Sequence, residues 1–165
     1  MAYRSEWPAI FDAEARHLRN TLASVLIDIH HIGSTSVPGL PAKPIIDILA
    51  VVRSLGELDA RSDAMMALGY EPMGEFGIAG RRFFAKGGAI HRTHHIHAYE
   101  LGHVEIAAHL DFRDYLRAHP GQARRYADRK ARLAEQHRHD IEAYIAGKGP
   151  LVKELLESAR QWRGA

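Results

Sequence analysis

The residues able to do chemistry gather in one stretch. It runs His31-Ile32-Gly33-Ser34-Thr35-Ser36-Val37-Pro38-Gly39-Leu40 and continues, after Pro41, as Ala42-Lys43-Pro44-Ile45-Ile46-Asp47-Ile48-Leu49. Gly33 lets the backbone turn tightly and approach a ligand. Ser34, Thr35 and Ser36 offer hydroxyls and neighbouring amides to an anion, and Lys43 offers a countercharge. Asp47 is a carboxylate inside an apolar run, an expensive placement unless the charge is paired or holds a metal. Together these residues point to a site where a phosphate group and a divalent cation meet. The other reading is purely structural: Asp47 is a buried acid hydrogen-bonded to the serine turn, Gly33 and Gly39 are plain turn residues, and Lys43 is solvated.

A second group stands at Arg92-Thr93-His94-His95-Ile96-His97-Ala98-Tyr99-Glu100. Side chains alternate between faces along a strand, so His95, His97 and Tyr99 share one face and His94, Ile96 and Glu100 the other. Two imidazoles so spaced can bite one metal ion. Imidazole suits zinc and other transition metals, whereas magnesium needs oxygens, from Asp47 and from Glu100 or Glu105. Histidines satisfying backbone groups on a partly exposed strand are the alternative. The same alternation exposes a gap in the first group. A two-metal phosphoryl-transfer site often takes two acids from alternate positions of one strand, and the alternate position after Asp47 is Leu49.

Three sets of basic residues remain. Arg81 and Arg82 precede Phe83-Phe84, so alternation turns one toward a cleft and the other toward solvent. Arg113 and Arg117 lie one helical turn apart and either clamp a polyanion or belong to a solvated face. Arg124, Arg125, Arg129, Lys130 and Arg132 read as a solvated helix face with interleaved acids.

The elements that must position these groups follow from periodicity. Trp7, Phe11, Ala15, Leu18 and Leu22 predict a helix over 7–24, with Pro8 in its first turn. A strand over 25–32, a loop over 33–44 and a buried central strand over 45–52 come next. A helix over 55–68 is closed by Gly69, 70–80 has no clear period, and strands over 81–86 and 92–101 flank a turn at Gly87-Gly88. Val104, Ala108, Phe112 and Tyr115 mark a helix ending near Pro120. A long helix over 122–146 carries the stripe Tyr126, Leu133, Ile141 and Tyr144. Gly147 and Gly149 break it, and Pro150 opens a last helix with Leu151, Leu155 and Trp162 inward. The chain reads as one domain over 1–165: an α/β part to about residue 101, with a helical part from about 102 packed on it.

Composition narrows the function classes. With 46% apolar and 25% charged residues among 165, the chain is globular. A formal charge of +2, with basic residues dispersed, gives no footprint for nucleic acid. The absence of cysteine excludes disulfides and thiolate chemistry. No apolar run approaches the roughly 20 residues of a membrane span, and Met1–Trp7 has no apolar signal core. The expectation is a soluble cytoplasmic protein acting on a phosphate-bearing small molecule, its oligomeric state open.

His31–Leu40 followed by Ala42–Ile48 resembles the signature of the GrpB family. Arg92–His97, Phe112–Arg117 and the region of Tyr144 and Lys148 are similar to that family as well, and the resemblance runs from about residue 6 to about 160. The family is grouped with the nucleotidyltransferase superfamily, and a similar domain is fused to dephospho-CoA kinases in some bacteria. The resemblance implies an α/β (α+β) fold: a minimal nucleotidyltransferase-like mixed sheet with flanking helices and a helical C-terminal part. It implies that Gly33-Ser34 is the phosphate turn and Asp47 the first acid of an acid-x-acid pair. The chain departs from that pattern at Leu49, and His95 and His97 stand where a third acid is expected.

On this basis the expected function is transfer of a nucleotidyl group from a nucleoside triphosphate to an unidentified acceptor. Gly33, Ser34, Thr35 and Ser36 would hold the phosphates, Lys43 neutralise them and Arg113 steady them. Asp47, with His95 and His97, would hold a divalent metal, magnesium or manganese, or zinc or another transition metal in its place. His97 would complete that shell or act as base. Two alternatives stay open: a non-catalytic module binding a nucleotide or CoA-type phosphate, motivated by Leu49, and a histidine-based transition-metal protein or hydrolase.

Overall fold

The near-continuous apolar run after Pro44 becomes strand β2 (Ile46–Val52), with six of its seven residues buried. A computed structural model describes residues 1–165 and places β2 in a five-stranded mixed sheet. Strand β1 (Leu26–Ile32) pairs antiparallel on one side of it, and β5 (His94–Glu100) pairs parallel on the other. Strand β4 (Arg81–Lys86) runs antiparallel to β5, and β3 (Tyr70–Pro72) forms the edge, giving the order β1-β2-β5-β4-β3. The register sets Ile32 opposite Asp47, Asp47 beside His95, and Leu49 beside His97, which in turn faces Phe83 on β4.

The two sheet faces differ. Ile29, Ile48, Ala50, Val52, Phe84, Ile96 and Ala98 pack against helices α1 (Trp7–Leu22), α2 (Leu55–Asp59) and α3 (Ser62–Ala67) through Trp7, Ala15, Leu18, Leu22, Leu58 and Met65. One charge lies within this layer. Glu14 is buried, accepting from the Tyr70 hydroxyl at 2.6 Å and from Lys86 Nζ at 3.0 Å, which ties α1 to the far edge of the sheet. The opposite face carries Asp47, His95 and His97 beside a small cluster of Ile32, Leu49 and Tyr99 covered by Ile106 and Leu110 of helix α4 (Val104–Ala118). Helices α4, α5 (Pro120–Gln136) and α6 (Ile141–Gly164) have their own core of Tyr115, Leu116, Tyr126, Leu151, Leu155 and Ala159. Val37 and Leu40 of the β1–β2 loop are buried in that same core, so the loop is the joint between the two parts. No helix is long and apolar enough to cross a membrane.

Several boundaries differ from the periodicity. The helix expected over 55–68 is two short helices, the first capped by the Ser54 hydroxyl accepting from the Glu57 N–H. The helix expected over 122–146 ends at Gln136, and Asp140 starts the next by accepting from the Ala143 N–H at 3.0 Å. Gly147, Gly149 and Pro150 lie inside α6 and do not break it. A Cβ on Gly147 would stand 2.6 Å from Leu133 Cδ2, so this glycine lets α5 and α6 cross closely. Packing thus overrides the local breakers. As a consequence Ile141 is 72% exposed instead of joining the α5 stripe, and Trp162 lies at the rim of the helical core, edge-on to Tyr115. Val104, at the first turn of α4, is also exposed.

The β4–β5 connection holds His95 and His97 in register, and Gly87 holds the connection. Its φ is +104°, and a Cβ there would lie 2.0 Å from the His91 carbonyl oxygen; Gly88, at φ +75°, has nothing within 4 Å. Gly87→Ala is expected to lower the unfolding free energy by roughly 2–4 kcal/mol and Gly88→Ala by only about 1 kcal/mol. Urea denaturation of the two variants checks this, and equal losses would contradict the geometry.

Candidate functional site

Asp47 meets the loop that precedes its own strand. Gly33 sits at φ +73°, and a Cβ there would lie 2.6 Å from Asp47 Oδ2, so glycine alone lets the loop close over the carboxylate. After it, Ser34–Ser36 make a single 3₁₀ turn. The Ser36 hydroxyl is buried and donates back to the Gly33 carbonyl at 2.5 Å. Thr35 Oγ1 lies 2.8 Å from Nε2 of the buried His31. Ser34 Oγ points the other way and accepts from Lys130 Nζ at 2.7 Å.

A cleft of about 540 Å³ opens beside this turn. Ser34, Thr35, Lys43, Asp47 and His95 line it from the sheet side, and Lys130, Tyr144 and Lys148 from α5 and α6. Pro41, Ala42, Ile45, Ala131 and Ala134 give it an apolar wall. The Asp47 side chain is 27% exposed, so it is neither sealed in a dry interior nor turned to the packed side of the sheet. Arg113 lies outside the cleft. Its Nη1 donates to the His31 carbonyl at 3.2 Å and its Nε to Asp114 Oδ1 at 2.8 Å. Arg117 Nε donates to the Ser36 carbonyl at 2.8 Å. These two arginines brace the backbone at the end of β1 and in the loop, outside the cleft.

His97 Nε2 is 3.3 Å from Asp47 Oδ1, and His95 Nδ1 is 3.6 Å from the same oxygen. Burial pushes the Asp47 carboxyl up, but His95 and His97 outweigh it and hold the group well below the usual carboxylate range. Arg81 decides how His97 does this. Its Nη1 lies 3.3 Å from His97 Nδ1, while Nε donates to the Glu75 carbonyl at 3.1 Å and Nη2 to the Phe76 carbonyl at 2.6 Å. A guanidinium only donates. Nδ1 of His97 is therefore the acceptor, and Nε2 carries the proton that meets Asp47. Arg82 turns outward to Asp59, as alternation requires.

In the free protein this arrangement is a hydrogen-bonded pair and not a preformed shell for a divalent metal. A ligating imidazole must present a lone pair, and the His97 nitrogen facing Asp47 presents a proton. Leu49, at the position a second acid would need, is fully buried against Ile32 and Tyr99. No three His, Asp or Glu side chains are arranged to hold an ion.

Lys130 corrects the reading of α5 as a solvated basic face. Its ammonium lies 4.8 Å from the centroid of the Tyr126 ring and reaches Ser34. Burial, with repulsion from Lys148 added, pushes the Lys130 ammonium down to about 8, although Asp47 opposes the shift. Lys148, over the ring of Tyr144, is also lowered, by burial first, with Lys43 adding and Asp47 opposing. The signal for Lys130 was spacing: Tyr126, Lys130 and Leu133 lie four and three apart, on the inward stripe.

Residues 1–158 match the family described as GrpB protein. The chain belongs to that family. The crystal structure of the conserved protein GrpB from Enterococcus faecalis superposes with a TM-score of 0.94 at 40% identity, covering 100% of this chain and 99% of that one. The UPF0157 protein YqkA of Bacillus subtilis (strain 168) is 50% identical over 161 residues, 98% of this chain and 47% of that protein, so the chain spans about half the length of this relative. A terminal uridylyl transferase 4 from Trypanosoma brucei, solved with bound CTP, superposes with a TM-score of 0.51 at 18% identity, over 91% of this chain and 50% of that one. The last likeness is one of fold: the mixed sheet with its flanking helices is that of nucleotidyltransferases.

Two predictions follow from the histidines. Nitrogen chemical shifts of neutral His97 should show the proton on Nε2, and a proton on Nδ1 would remove the lock assigned to Arg81. His31 is pushed down to about 4 by burial, then by Arg117, with Asp47 opposing. His109, ring to ring with His97 at 5.4 Å, is pushed down to about 4 by burial, then by His97. Both folded values lie below the unfolded value of about 6.5. Their contribution is complete above that value and is lost as pH falls toward 4, because the unfolded chain binds the extra protons. The expected slope is about 1.4 kcal/mol per pH unit for each histidine. Urea unfolding across that range reads it, His109→Gln should flatten part of it, and a level profile would contradict the burial of both rings.

Proposed function

We propose that this protein binds a phosphate-bearing small molecule, foremost a nucleoside triphosphate, in the cleft beside Ser34, and holds it without transferring its nucleotidyl group. The observation that carries this reading is the convergence of Lys43, Lys130 and Lys148 on one cleft around the Ser34 hydroxyl. Ammonium groups drawn together and partly desolvated repel one another, and an anion relieves both penalties. A phosphate chain brings that charge and accepts hydrogen bonds from the ammonium groups and from Ser34. The apolar wall and Tyr144 can receive the remainder of the ligand. The CTP bound to the uridylyl transferase of the same fold supports a nucleotide as occupant.

Transfer chemistry of the kind the family resemblance implies depends on paired carboxylates. Leu49 leaves Asp47 single, and His97 donates its proton to it, so neither is assigned a catalytic step. Gly33 and Ser36 shape the turn, Thr35 anchors it to His31, and Ser34 presents the hydroxyl. Lys130, hydrogen-bonded to that hydroxyl in the free protein, is placed to turn from it to a phosphate oxygen.

Calorimetry with ATP and CTP, in chelator and in manganese, tests the proposal. Binding should persist in chelator, with no pyrophosphate released in either condition. Lys130→Ala and Lys148→Ala should each weaken it by roughly ten- to hundred-fold, the worth of a charged hydrogen bond. Asp47→Asn should leave the affinity unchanged or tighten it several-fold, since a like charge is removed. With the Lys130 value near 8 in the free protein, an anion raises it, so a proton is taken up near that pH and affinity falls above it. Loss of binding in chelator or in Asp47→Asn would place a cation at the centre of the site and overturn the reading.

A further inference from the structure

We propose that Lys130 is a covalent acceptor, its amine taking the acyl group from a small acyl phosphate bound in the cleft. The proposal rests on the anion-binding reading of that cleft and adds a chemical event to it. Such an event needs an accessible amine, a fixed position for it and a site that holds the departing phosphate. Lys130 Nζ lines the cleft, and its bond to Ser34 Oγ at 2.7 Å fixes its position. Lys43 from the loop and Lys148 from α6 line the same cleft and can hold the phosphate end of the reagent. The carbonyl carbon, one oxygen away from that phosphate, then falls near the amine.

The groups facing Lys130 come from four elements. Lys43 and Ser34 belong to the loop, Asp47 to β2, Tyr126 to α5, and Lys148 and Tyr144 to α6. The two lysines and the burial favour the neutral amine, whereas Asp47 and the Tyr126 ring favour the ammonium. The balance lies at about 8. At neutral pH about a tenth of such amines are free, against well under a thousandth for an ordinary lysine.

The step balances without a further reagent. The lone pair of the neutral amine attacks the acyl carbon and a C–N bond forms. The C–O bond to phosphate breaks, with its electron pair remaining on the phosphate oxygen. The proton released from nitrogen passes to the departing phosphate or to solvent. The products are an Nε-acyl-lysine and inorganic phosphate, and the cleft has lost one positive charge.

The test incubates the full chain with acetyl phosphate at several pH values and measures acetylation of each lysine by peptide mass spectrometry. The exposed Lys153 is the internal standard. Lys130 should react at least roughly ten-fold faster than Lys153, with a rate that rises with pH and levels off above about 8. Inorganic tripolyphosphate should slow Lys130 and leave Lys153 unchanged. Lys43→Gln, at the exposed rim, should slow Lys130 without altering thermal unfolding. Equal rates at the two lysines, or no protection by tripolyphosphate, would overturn the proposal. If triphosphate binds in calorimetry but Lys130 is not acetylated in preference, the covalent step fails and the binding site stands. If neither occurs, both fail.

Discussion

The carboxylate of Asp47 occupies the space that a side chain at position 33 would need, with Oδ2 only 2.6 Å from where that Cβ would stand. The loop leaving β1 therefore folds back over the strand that follows it, and the charge beneath loses much of its water. A carboxylate so placed must recover its solvation from neighbours. The parallel pairing of β2 with β5 supplies them, because it sets Asp47 beside His95 and Leu49 beside His97. A slip of one residue in that pairing would turn both histidines to the packed side of the sheet and bring His94 and Ile96 to the carboxylate. Arg81 then fixes which nitrogen of His97 holds the proton, and is itself held by the carbonyls of Glu75 and Phe76. A chain of hydrogen bonds thus links the carbonyls of the segment after β3, through Arg81 on β4 and His97 on β5, to the charge on β2.

The loop is held equally firmly from the helical side. Val37 and Leu40 are part of the core formed by α4, α5 and α6. Arg113 and Arg117 donate to the carbonyls of His31 and Ser36, and Lys130 donates to Ser34. Hydrogen bonds from charged donors are worth about 1.5–3 kcal/mol each, so two of them on the turn and one on the strand end that leads into it strongly bias the conformation of this segment. Neither half of the chain contains the cleft alone. The sheet supplies the turn and the carboxylate, and the helices supply two of the three lysines.

The division between what the sequence disclosed and what it did not follows from this construction. The apolar run around Asp47, the alternation of His95 and His97, and the opposite facings of Arg81 and Arg82 are local consequences of strand geometry, and all three were legible. Gly33 was legible as a special position, but the reason it must be glycine, contact with a side chain fourteen positions on, was not. Arg113 pairs with a backbone carbonyl, and no residue pattern marks a carbonyl that lacks a partner. Lys130 sits among arginines and acids whose pattern is that of a solvated face, and only its helical spacing from Tyr126 and Leu133 set it apart. The helix break expected at Gly147 and Pro150 was displaced because local propensity yields to a tertiary crossing, here the contact of Gly147 with Leu133.

The electrostatics of the cleft join these parts. Lys130 and Lys148 are disfavoured as cations by burial and by neighbouring ammonium groups, Lys148 and Lys43 acting on Lys130 and Lys43 on Lys148, and Asp47 is the group that opposes both shifts. The carboxylate in turn lies in a field that favours its charge, from His95 and His97. Asp47 therefore acts as an internal counterion, keeping the ammonium groups charged enough to remain in the cleft when no ligand is there. In the proposed complex an incoming phosphate would compete with it for the same cations. That competition has a definite direction: a phosphate can turn toward Ser34 and the lysines, whereas Asp47 is fixed by Gly33 above it and by His97 beside it. Its attraction for the lysines is limited by its position, and the ligand's is not. A carboxylate that cannot follow the lysines suits the proposed anion site, which would hold its cations when empty and yield them to a ligand, and this is a different use of the strand position from the one that a second acid at Leu49 would have served.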